Sequence, residues 1–110
     1  MGNKTLNTTY DFEMADGTTV KLTLAFYALY QLKSKNKSLY ERYNKAMLSI
    51  ADKKSGYDEL EVITILYAAY VCANLNADKI MNEEEFIILC GADRVAVNTA
   101  LEHLITPKKA

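Results

Sequence analysis

Between Val62 and Ala73 a lone threonine, Thr64, interrupts 12 residues of otherwise apolar chain. A bilayer-crossing helix needs about 18 to 20 such residues, so this run is too short to span a membrane. A helix that is greasy on every side has to be surrounded by the rest of its own protein. The run is therefore the expected central, buried helix of one core, with the other elements arranged around it.

From Thr8 to Leu24 the periodicity changes to two, with Tyr10, Phe12 and Met14 answering Val20, Leu22 and Leu24 across polar neighbours. This predicts an antiparallel hairpin. Residues that face each other share a side of the sheet, so paired numbers must sum to an even value. A two-residue Asp-Gly turn would set Phe12 against Lys21 and violate that parity. A three-residue loop of Ala15, Asp16 and Gly17 satisfies it, with Gly17 in the left-handed conformation of a bulge. Phe12 then pairs with Val20, Tyr10 with Leu22 and Asp11 with Lys21. A two-stranded hairpin with one apolar side is marginal alone, so helices must cover it.

The helix boundaries come from capping signals. A first helix is expected from Leu24 or Ala25 to Lys33, followed by a bend over Ser34 to Lys37. Ser38 and Glu41 form a capping box that opens a second helix toward Asp52. Gly56 breaks the chain. Asp58 with Glu61 opens the buried helix, which runs to Asn74, and Asn82 with Glu85 opens a short helix ended by Gly91. Asp93 caps a last helix through Ile105. The predicted fold is α+β and mostly helical: an N-terminal β-hairpin packed on a bundle of about five helices. It forms a single domain over 1–110, divided into an N-terminal segment and hairpin (1–24), a bundle (25–105) and a flexible tail (106–110) that begins just before Pro107.

A chain of 110 residues buries roughly two thirds of its unfolded surface and folds without staples. Cys72 and Cys90 stand far apart with no CxxC, and His103 is the one histidine, so the usual zinc spacings cannot be assembled. Both cysteines read as buried thiols. The polar start lacks an apolar signal region, and Leu6 stands where myristoylation wants a small hydroxyl residue; the expectation is a cytoplasmic protein. The formal net charge of −1 conceals three unequal blocks. Residues 1–20 carry one lysine against three acids, residues 21–54 eight bases against two acids, and residues 55–110 four bases against nine acids. The basic middle is not read as a nucleic-acid site, because its lysines are dispersed among helix formers and the remainder repels phosphate. Basic and acidic parts are expected to meet within the fold or between copies.

Few residues suggest chemistry. Asn74, Asn76, Asp78, Asn82 and Glu85 fall on the ligand positions of an EF-hand loop, which makes a degenerate, calcium-responsive regulator one alternative reading. The loop departs from the pattern at two places: Lys79 replaces the glycine of the sharp turn, and the first ligand is the neutral Asn74. The Asn82/Glu85 capping box accounts for the same residues without a metal. His103 and Glu102 are adjacent on the last helix and do not face each other. Asp11 and Glu13 lie on the polar face of the hairpin, and no nucleophile motif or glycine-rich phosphate loop is present. No cofactor, metal site or enzymatic activity is expected.

The tyrosines carry more. They recur three apart at Tyr27/Tyr30, Tyr40/Tyr43 and Tyr67/Tyr70, which sets each pair on one helical face. Tyr67 and Tyr70 belong to the buried helix and are expected at its rim, rings covered and hydroxyls in water. The two earlier pairs lie on helices too short to bury every ring, and exposed tyrosine is favoured at interfaces. Tyr27, Tyr30, Tyr40 and Tyr43 are the candidate partner-binding residues, together with Lys35 and Lys37 of the basic bend and the acidic Glu83 and Glu84. The basic face of Lys33, Lys35 and Lys37 and the acidic face of Glu83 to Glu85 are expected to associate between copies in a salt-sensitive way.

The hairpin with its Asp-Gly turn, the stretch Phe26-Tyr27-Ala28-Leu29-Tyr30-Gln31-Leu32-Lys33, the segment Leu39-Tyr40-Glu41-Arg42-Tyr43-Asn44-Lys45, and Ile65-Leu66-Tyr67-Ala68-Ala69-Tyr70 form one set. Together with Glu84-Glu85-Phe86 and the closing Leu104-Ile105-Thr106-Pro107, they resemble the tail assembly chaperones of long-tailed (siphovirus-type) phages and prophages of Gram-positive bacteria. The resemblance implies a non-enzymatic protein of the host cytoplasm that binds the long, helical tape measure protein and promotes assembly of the tail tube protein. It also implies absence from the mature virion, a possible homo-oligomer and a longer, frameshifted form of the chain arising near Lys108 and Lys109. A structural virion subunit of the tail or connector is the other alternative.

Overall fold

In the computed structural model, which describes residues 9–52 and 58–105, an antiparallel hairpin leads into helices that pack around the apolar run. The described elements are β1 (Thr9–Glu13), β2 (Thr19–Thr23), α1 (Phe26–Lys35), α2 (Lys37–Ala51), α3 (Glu59–Ala73), α4 (Glu83–Cys90) and α5 (Arg94–Ile105). An α+β fold, mostly helical, with the hairpin at its N-terminal side, is what the periodicities predict.

The parity argument holds residue for residue: Tyr10 pairs with Leu22, Asp11 with Lys21 and Phe12 with Val20. Met14 N–H donates to the Thr18 carbonyl at 2.7 Å and Gly17 N–H to the Met14 carbonyl at 3.0 Å, closing a loop over Ala15, Asp16 and Gly17. Gly17 has φ of +91°, where a side chain would be strained. Asp16 accepts from the Thr18 hydroxyl at 2.7 Å and from its N–H at 3.0 Å, which holds the carboxyl below the usual aspartate range. One face of the hairpin buries Phe12, Met14 and Leu22, while Asp11 and Lys21 form a 2.7 Å ion pair on the other.

The buried face lies on α3, the hub of the fold, which also packs against α1, α2, α4 and α5. Nine of its 15 residues are buried, on all sides of the helix, including Val62, Ile65 and Leu66 at full burial. Its capping box forms as expected, Asp58 accepting from Leu60 N–H at 3.0 Å and Glu61 reaching back to the Asp58 N–H. α4 opens on the Asn82/Glu85 box, and Asp93 accepts from Ala96 N–H at 3.0 Å at the start of α5. The hairpin tip clasps the far end of α4: Ala15 N–H donates to the Leu89 carbonyl at 2.7 Å. Gly91 then turns the chain with φ of +68°, and a Cβ there would stand 3.2 Å from that of Ala15. Glycine meets both demands.

Three expectations are corrected. The bend between the first two helices is not Ser34 to Lys37 but Asn36 alone: α1 continues to Lys35 and α2 starts at Lys37. Asn36, not Ser38, caps α2, its side chain accepting from Leu39 N–H at 3.2 Å. An asparagine two residues upstream of a serine offers the same acceptor chemistry and lets both helices keep more turns. The hydroxyls of Tyr67 and Tyr70 are also not left to water. Tyr67 donates to the Met81 carbonyl and Met81 N–H donates to Tyr70 Oη, each at 2.9 Å, tying the α3–α4 connection to the hub. Gly56 and the tail after Ile105 lie outside the described residues.

Candidate protein-docking face

α1 has ten residues and one strongly buried side. Leu32 is fully buried, and Ala28 and Leu29 are partly so against α2 and α3. With 3.6 residues per turn, Phe26, Tyr27 and Tyr30 are carried to the opposite side. They are 90%, 70% and 68% exposed. The Tyr27 and Tyr30 rings stack on each other, centroids 6.2 Å apart at 25°, and Lys33 continues the face toward the α1–α2 corner, where Lys35 and Lys37 are also exposed. None of these three lysines has a carboxylate partner among the described residues. Lys33 Nζ instead sits 5.5 Å from the centre of the Tyr40 ring, a cation–π distance.

The second tyrosine pair behaves differently. Tyr40 is half-buried, and Tyr43, 5.9 Å away ring to ring, is only 8% exposed. Burial pushes the Tyr43 hydroxyl up from the ordinary tyrosine value, with smaller contributions from Tyr40 and Cys72. Tyr43 is a core residue, and its expected place on a partner-binding surface is corrected. The reason is rotational: α2 turns Leu39, Tyr43 and Ala46 inward as one stripe, and Tyr40 falls at its edge.

Glu83 is also already engaged. Arg42 on α2 grips it with two hydrogen bonds of 2.8 and 2.6 Å, which holds the carboxyl below the usual range and the guanidinium above its own. The basic and acidic blocks thus meet within the fold at this point. Glu84 remains exposed on the outer side of α4, beside Ile87 and the 65% exposed Ile88. Phe26 and Ile88 are exposed without having been expected to be; Phe26 stands four before Tyr30, which is the available signal.

Elsewhere the molecule offers little chemistry. A cavity of about 260 Å³ lies between the start of α3 and the α4–α5 corner, lined by Leu60, Ile63, Ile87, Cys90 and Val97, with the Arg94–Glu59 ion pair (2.6 Å) beside it. Burial pushes the Cys90 thiol up to about 11 and the Cys72 thiol up to about 12, so both stay protonated and poorly nucleophilic. His103 stacks on Tyr10 with ring centroids 4.8 Å apart. Of the calcium-loop residues, Asn82 and Glu85 satisfy each other's backbone, and the Asn74 side chain donates to the Tyr70 carbonyl at 2.8 Å. Among the described residues no His, Cys, Asp or Glu cluster has the geometry of a metal site, and no described helix is long and apolar enough to cross a membrane.

The chain has no significant match among family models, curated proteins or solved structures. The docking face of α1 therefore has to be read from its own chemistry.

Proposed function

We propose that this chain is a phage tail assembly chaperone that acts by binding, not catalysis: it holds helical segments of the tape measure protein while tail tube subunits assemble. The observation that carries the reading is the outer face of α1, where Phe26, Tyr27 and Tyr30 stand exposed together. Aromatic rings in water are costly to leave bare and are favoured in interfaces, and a partner helix can lay its own apolar stripe along them. A long tape measure helix offers that stripe repeatedly, so many weak contacts suffice. The sequence resemblance supplies the biological setting: the host cytoplasm during morphogenesis, and departure before the virion is complete.

Co-expression with a tape measure protein from the same genome tests the proposal. The tape measure is expected to co-purify with the wild-type chain and to be lost with Tyr27→Ser/Tyr30→Ser, while mass spectrometry of finished particles lacks the chain. Capture that ignores both tyrosines, or the chain's presence in particles at structural stoichiometry, rules the proposal out.

A further inference from the structure

The outer face of α1 changes character along its length. Phe26, Tyr27 and Tyr30 make its first half aromatic, and Lys33, Lys35 and Lys37 make the corner at its end basic. Elsewhere in the basic block Lys21 is paired with Asp11 and Arg42 with Glu83, but the three corner lysines have no carboxylate partner among the described residues. The first turns of α3 and α4 carry acids, those of α1 and α2 carry none, and the nearest acid along the chain is Glu41, a turn into α2. The charge of the corner is therefore left for a partner to answer. Tyr30 lies three residues before Lys33 and Phe26 seven before it, about 5 and about 10 Å along the helix axis. A partner helix that matches this face carries acid and apolar side chains at the same separations.

We infer that this face selects its partner by charge and direction: it receives an amphipathic helix whose first turn is acidic and whose apolar side chains follow, lying antiparallel to α1. The acids meet Lys33, Lys35 and Lys37, and the apolar side chains three or four and then seven residues later meet Tyr30 and Phe26. Direction follows from the helix dipole. Acids stabilise a helix at its N-terminus and weaken it at its C-terminus, so the end that meets the lysines is the start of the partner helix. The inference deepens the proposed function and rests on it for the identity of the partner: of the helical segments of the tape measure protein, the acid-opening ones are held. Single-stranded nucleic acid also stacks on rings and follows lysines. Here the unpaired cations gather at one end of the aromatic row instead of flanking it, and residues 55–110, with four bases against nine acids, repel phosphate.

Fluorescence anisotropy tests the inference with two sets of labelled peptides, each about 20 residues long. One set tiles the tape measure protein from the same genome. The other is designed: a helix that opens on two glutamates with leucines after them, the same sequence reversed, and a version with both glutamates changed to lysine. The acid-opening design is expected to bind about tenfold more tightly than its reversal, and the tightest tape measure peptides should share its pattern. Lys33→Glu and Lys35→Glu/Lys37→Glu should each weaken that binding about tenfold and should take up the lysine design instead. Such an exchange cannot come from a loss of folding. Equal binding of the design and its reversal, charge reversals without effect, or oligo(dT) bound more tightly than the acid-opening design overturns the inference. The two readings fail separately. Tape measure capture that needs Tyr27 and Tyr30 but ignores the lysines removes only this inference, whereas binding of the acid-opening design with no tape measure peptide bound removes only the proposed function.

Discussion

Tyr27 and Tyr43 show how little a residue's spacing says about where its ring goes. Both belong to pairs three apart on neighbouring helices, yet Tyr27 is 70% exposed and Tyr43 is 8% exposed. The difference is the rotation of each helix about its axis, which is set by the residues that the hub accepts, Leu32 from α1 and Leu39, Tyr43 and Ala46 from α2. No local signal in the sequence encodes that rotation, so the surplus of exposed aromatics was legible while its membership was not. The consequence is measurable. Tyr43→Ala is expected to cost about 3 kcal/mol of stability, as truncations of large buried rings do. Tyr27→Ser is expected to change stability by less than about 0.5 kcal/mol, as exposed substitutions usually do. Urea unfolding of the two variants checks the pair, and equal losses would place Tyr27 in the core as well.

At the scale of elements, the hairpin was readable to the residue because period-two patterning and parity leave one register that keeps Phe12, Tyr10, Val20 and Leu22 on the same side. The capping boxes at Asp58/Glu61 and Asn82/Glu85 were equally plain, since each is a local pair of hydrogen bonds with a fixed spacing. The α1–α2 junction was not, because Asn36 and Ser38 are both competent caps and their choice depends on how far each helix can extend while keeping Leu32 and Leu39 in the core. With Asn36 accepting from Leu39 N–H, Asn36→Ala should lower stability by about 1 kcal/mol. Ser38→Ala, at an exposed position inside α2, should be close to neutral. Thermal melts of both variants distinguish the two caps, and a larger loss at Ser38 would restore the longer bend.

For the whole molecule, the opposed charge blocks were visible as an imbalance, but the contact that joins them, Arg42 on Glu83, links residues 41 apart and depends on α2 and α4 both packing on α3. That contact makes stability depend on pH in a definite direction. Arg42 stays charged at all relevant pH values, whereas its hydrogen bonds hold the folded Glu83 carboxyl below an unfolded value of about 4.3. A carboxyl lowered in the folded state adds stability that is present in full above its unfolded pKa and is lost as pH falls through its folded one. At neutral pH the wild-type chain should therefore melt above Glu83→Gln. The gap should begin to close as pH drops below about 4 and should go on narrowing as the folded Glu83 carboxyl takes up its proton. High salt should narrow the gap at neutral pH, because the pair is partly exposed. Melting curves of the two proteins from neutral pH downward decide the matter: a gap that does not narrow as pH falls below about 4 would mean that the glutamine disturbs packing and that the charge on Glu83 is not what joins the two halves of the chain.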